Sequence, residues 1–143
     1  IENTLFAGIY NEEIFRELKN KKNKIVIKDS ISKKKISISI DKFYLKNDNA
    51  IVISNNNTVI FTKYRKPFHY LSDFRELNIN LKKYKILIVK SGYLSPELKK
   101  LKADNFMILT DGFVTQDFKR IKNLFREKPI YPFQKNFRYN IAI

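Results

Sequence analysis

Two short runs, KILIVK at 85–90 and NFMILT at 105–110, have uninterrupted apolar centres. A strand with one wet face alternates apolar and polar residues, whereas a strand covered on both faces does not. Between the two runs lies SPELKKLK (95–102), with Ser95 as N-cap, Pro96 at the first helical position and Glu97 in the first turn. Strand, helix and strand in this order pair in parallel, with the helix crossing one face of the sheet. TQDFKRIKNLF (115–125) continues the pattern as a second helix, and YLSDFREL (70–77) precedes it as a short one.

The first half reads differently. YNEEIFRELKNKK (10–22) predicts a helix capped by Asn11, with Ile14, Phe15 and Leu18 on one face. KIVIK (24–28) predicts a short strand, and the isoleucines of KKISISIDKFYL (34–45) alternate with serines as in a half-buried antiparallel strand. NAIVISNNNTVIFTK (49–63) predicts two strands around an asparagine turn, since asparagine tolerates the left-handed backbone of tight hairpins. The expected fold class is α/β: a small parallel or mixed sheet with flanking helices, plus an N-terminal antiparallel β meander. One domain is expected over 1–143, β-rich at 24–63, βαβα at 70–125, with an aromatic, proline-bearing tail at 126–143.

Composition removes several chemistries. There is no cysteine, so disulfides, thiolate metal sites and cysteine nucleophiles are excluded. The single histidine, His69, excludes a two-histidine zinc site built by this chain alone. No apolar run approaches the roughly 20 residues of a membrane span, so no membrane partner is expected, and a cytoplasmic location is the default. The chain starts at Ile1 without a signal-peptide pattern, which is the expectation for a piece of a longer polypeptide. The net charge of +15 raises nucleic acid as a partner. Lysine outnumbers arginine 23 to 6, however, and the lysines are scattered apart from 19–24 and 33–35. Bidentate phosphate recognition favours arginine, which argues against nucleic acid. A basic module for an acidic partner and a dimerisation domain stay open as alternatives.

Three stretches carry possible chemistry. At the carboxyl end of the 85–90 strand, Lys90, Ser91, Gly92 and Tyr93 offer a charge, a hydroxyl, a close backbone approach and a phenol, where open α/β sheets bind ligands. Asp111 and Gly112 of TDG occupy the corresponding place after the next strand, although a turn aspartate is common for structural reasons. RKPFHYLSDF (65–74) gathers Arg65 and His69 just before a helix. No complete catalytic set can be read from these residues.

The same stretches resemble the C-terminal region of the MlrC-like family, named for the microcystin-degradation protein MlrC and classed among metallopeptidases. KILIVKSGYLSPEL, NFMILTDGFVTQD and RKPIYPF follow the family's order and spacing, and TKYRKPFHYLSDFREL is similar to the segment before them. The resemblance covers roughly residues 34 to 138 and is specific from 62 onward. It implies a two-domain protein whose metal, usually zinc, is held by histidines and carboxylates of an N-terminal domain. No cofactor is then expected in this chain, and its partner would be that metal-binding domain of the same polypeptide. Lys90, Ser91, Gly92, Tyr93, Asp111, Gly112, Pro129 and Pro132 match the motifs. Many relatives carry a histidine soon after the Lys-Ser pair, where this chain has Gly92 and Tyr93. The 90–93 and 111–112 turns follow the carboxyl ends of neighbouring strands, so they are expected to face the metal-binding domain and close a substrate cleft. In that cleft Lys90 or Tyr93 would hold an anionic group while a metal-activated water attacks an amide.

Overall fold

The structure, a computed structural model, describes residues 2–20, 23–28, 33–91 and 95–108. In chain order its elements are β1 (Thr4–Tyr10), α1 (Glu12–Lys19), β2 (Lys24–Lys28), β3 (Lys35–Ser39), β4 (Lys42–Lys46), β5 (Asn49–Ser54), β6 (Asn57–Thr62), α2 (Leu71–Arg75), a 3-10 turn (Leu81–Lys83), β7 (Ile86–Val89) and α3 (Pro96–Lys99). The main sheet has the order β4-β5-β6-β1-β7, and β2 with β3 forms a separate ribbon. β1 runs parallel to both β6 and β7, while β4, β5 and β6 are joined antiparallel. The fold is α/β with a mixed sheet.

Alternation along the strands divides the core in two. Leu5, Ala7, Ile51 and Ile60 face one side and pack with Phe68, Phe74, Leu77 and Leu98, brought by the loop before α2, α2, the turn after it and α3. Ala50, Val52, Val59 and Phe61 face the other side and pack on Ile14, Phe15 and Leu18 of α1. Each fully buried side chain of this size contributes roughly 1.5–3 kcal/mol. The Asn11 carboxamide accepts from the Ile14 N–H at 2.9 Å, the N-cap expected for α1. Tyr44 ties β4 to the turn after α2 by donating to the Leu77 carbonyl at 3.2 Å; burial, and secondarily Tyr84, raises its pKa above the usual tyrosine value.

Two asparagine-rich turns set the meander. Asn47 and Asp48, then Asn55 and Asn56, all have positive φ, as two-residue hairpin turns require. The run expected as one strand at 34–45 is two strands. The Ile40 N–H donates to the Asn23 carbonyl, but the next N–H, of Asp41, donates to Ile53. The chain changes partner between adjacent residues, and the Asp41 carboxylate accepts from the Asn55 N–H at 2.7 Å to hold the break. In the ribbon Lys28 stands opposite Lys35, a like-charge pairing that costs stability.

The chain divides into two units, Ile1–Ala103 and Asp104–Ile143. Of the second, residues 104–108 are described; they have irregular backbone, and Phe106, Met107 and Ile108 are exposed. The strand expected at 105–110 is therefore not formed over 105–108. The helix at 115–125 and the tail lie outside the described residues.

β1 was not expected as a strand, and one of its residues shapes the sheet's carboxyl edge. The β1–β6 register shifts between Ala7 and Ile9, and Gly8 there has φ +84°. A Cβ at Gly8 would stand 3.4 Å from the Phe68 ring, 3.6 Å from the Lys66 carbonyl oxygen and 3.8 Å from that of Lys90. These distances are ordinary van der Waals contacts, so it is the left-handed conformation that calls for glycine. Gly8→Ala is expected to lower unfolding stability by about 1–2 kcal/mol, read from denaturant midpoints, because the left-handed conformation penalises a Cβ.

Candidate functional site

Because β6, β1 and β7 are parallel, their carboxyl ends share one edge, and the loops that follow them meet there. The 63–70 loop follows β6, α1 follows β1, and Lys90 and Ser91 follow β7. The Lys90 N–H donates to the Ala7 carbonyl at 3.1 Å, which carries the β1–β7 ladder past the end of β7. One residue later the Ser91 hydroxyl lies 3.0 Å from His69 Nε2. Residues 22 apart in sequence thus form a side-chain hydrogen bond across the edge.

His69 is held by its backbone from both sides. Its N–H donates to Asp73 Oδ2 at 3.1 Å, and its carbonyl accepts from the Ser95 hydroxyl. Asp73, almost fully buried, also accepts from the Tyr70 N–H at 2.9 Å and pairs with Lys66 Nζ at 3.0 Å. A second carboxylate, Glu97 of α3, accepts from the Leu71 N–H at 2.7 Å. The charges of Asp73 and Glu97 are directed at unpaired N–H groups at the start of α2, where a carboxylate is stabilised. Phe68, fully buried and 5.3 Å from the Phe74 ring, anchors the loop from below.

The exposed groups at this edge are of both signs, with Glu13 in the first turn of α1 beside the basic residues. Lys90 is exposed, and the Arg65 guanidinium sits 5.3 Å from the centre of the Tyr10 ring at the end of β1. Lys63, at the start of the loop, has its pKa raised, first by its hydrogen bond to Tyr64 and then by the charge of Asp48, 3.6 Å away. The edge is a polar surface on which Lys90 and Arg65 stand with Glu12 and Glu13 of α1 and with the Lys63–Asp48 pair.

Of the residues singled out in the sequence, His69, Lys90 and Ser91 come together, and Arg65 lies on the same edge at β1. Gly92, Tyr93, Asp111 and Gly112 lie outside the described residues. Sequence reasoning missed Gly8, because a lone glycine in an apolar run has no signature of its own. It also missed Asp73 as a support, although an acid in a helix's first turn was a usable signal. No group of three or more histidine or carboxylate side chains able to hold a metal ion occurs among the described residues. None of the described helices is long and apolar enough to cross a membrane.

The family model described as MlrC C-terminus matches residues 27–123. The chain belongs to the MlrC C-terminus family. No curated protein and no solved structure matches it. The match to the MlrC C-terminus begins inside β2, so β1 and α1 precede it, yet β1 supplies the strand between β6 and β7. A fragment starting at residue 27 is expected to lose cooperative unfolding, as followed by circular dichroism, because β6 and β7 then have no strand to join them. Within the edge itself, Asp73→Ala is expected to cost about 2–3 kcal/mol in denaturant unfolding, since it leaves the N–H groups of His69 and Tyr70 without their acceptor.

Proposed function

We propose that this MlrC C-terminus chain serves a metal-dependent amide or peptide hydrolase as the domain that binds and orients substrate. In this reading hydrolysis belongs to a metal-binding domain of the same polypeptide, and the edge formed after β6, β1 and β7 faces that domain across the cleft. The observation that carries the reading is the convergence of His69, Lys90 and Ser91 at the carboxyl ends of parallel strands, within the region matched by the family. Basic and hydroxyl groups on rigidly held loops are suited to positioning a substrate, which contributes to rate by fixing the reacting geometry.

The chain's own residues bind, orient and exclude water in this scheme; none of them activates the attacking water. In the full-length polypeptide, Lys90→Ala is expected to reduce kcat/KM for amide hydrolysis about tenfold to a hundredfold with an unchanged melting temperature, the effect of losing one charge-assisted hydrogen bond. Wild-type kinetics in that variant would reduce the 90–91 turn to a structural connection. Hydrolysis of peptide amides by the 143-residue chain alone, with zinc added, would overturn the division of labour.

A further inference from the structure

We propose that the β2–β3 ribbon binds an acidic, extended segment of a partner protein, which adds to the outer edge of β3 as a third strand. In the paired register Lys24, Val26 and Lys28 of β2 share one face with Ser39, Ser37 and Lys35 of β3. All six are exposed, Val26 to 49%. Residues opposite each other in an antiparallel pair point to the same face, so the pairing itself sets Lys28 and Lys35 side by side. That pairing costs stability in the protein alone, and a carboxylate lying between the two ammonium groups offsets it. Neither strand contains an acidic residue. The other face carries Ile25, Ile27, Ile36 and Ile38, and all but Ile36 pack in the cluster that holds Ile14, Phe15 and Leu18 of α1. α1 therefore lies against the isoleucine face and leaves the lysine face uncovered.

The open edge, the exposed isoleucine and the lysine face together select this occupant. Among the described residues the ribbon has two strands, and every residue of β3 except Ile38 is exposed. An edge of this kind is a template for strand addition. Ile36, 61% exposed, offers the added strand an apolar contact on the face away from the lysines. A segment that alternates acidic and apolar residues meets lysine on one face and Ile36 on the other. Nucleic acid is the poorer match, because its phosphate backbone offers nothing apolar to Ile36. The lysine face also has neither an arginine to read a base nor an aromatic ring to stack on one. A second copy of the chain is poorer still, since β3 beside β3 adds another Lys35 to a face that is already positive. The ribbon surface is independent of the edge formed after β6, β1 and β7.

The test is fluorescence anisotropy of the full-length polypeptide with a labelled octapeptide of alternating glutamate and valine, at constant ionic strength. Saturable binding is expected, together with slower hydrogen exchange of the β3 amides. The double variant Lys28→Gln/Lys35→Gln is expected to weaken binding about threefold to tenfold while raising the unfolding midpoint, because the like-charge pairing is gone. Those opposite signs separate a binding role from a structural one. Ile36→Thr, which keeps the β-branch, is expected to weaken binding about threefold with an unchanged melting temperature. A glutamate–serine octapeptide lacks the apolar contact, and a glutamate–valine octapeptide N-methylated at every residue lacks the backbone donors. Each is expected to bind about tenfold more weakly. Absence of binding by the glutamate–valine peptide, undiminished binding of either control, or binding without slower exchange in β3 would overturn the proposal. Tighter binding of a short DNA duplex, lost in the double lysine variant, would overturn it in favour of nucleic acid.

Discussion

The parallel pairing of β1 with both of its neighbours is the constraint on which the remainder of the structure depends. Strands that run the same way end on the same side, so their following loops are delivered to one edge whatever their sequence separation. β6 and β7 are not hydrogen-bonded to each other; each pairs with β1. At Gly8 the register between β1 and β6 shifts, and the backbone takes a positive φ. Parallel pairing brings the loops to the edge, where His69 and Ser91 meet.

Upon that frame the polar interactions are layered by burial. Phe68 and Phe74 fill the space under the loop, Asp73 closes the start of α2, and the exposed imidazole and hydroxyl are outermost. This order matters energetically. The inner carboxylate is nearly desolvated and satisfied by several donors, so its loss is costly. The outer groups are wet, and their removal changes recognition more than stability. A domain of the MlrC C-terminus family built this way can vary its exposed edge residues without disturbing the core beneath.

Much of the fold was legible because its signals are local. The asparagine turn at 55–56, the Asn11 cap and the Ser95-Pro96-Glu97 helix start depend on groups a few residues apart, and all were found where expected. The single strand expected at 34–45 failed at Ile40 and Asp41, since alternation continues across a change of partner and hydrogen-bond partners are not encoded in it. TLFAGIY was missed for a related reason. A short apolar run ending at a helix cap resembles many buried segments, and its value as the central strand arises only from partners more than 50 residues away.

The candidate site divides along the same line. The sequence alone determined the residue types available: one histidine, no cysteine, an abundance of lysine, and a Lys-Ser turn where an apolar strand meets a helix. Those facts are chemical and hold in any fold. Only the tertiary structure decided that His69 reaches Ser91, that Asp73 and Ser95 hold it there, and that Arg65 is drawn instead to Tyr10. Such contacts join residues far apart in the chain, and their geometry is set by the parallel order of β6, β1 and β7, which no local pattern contains.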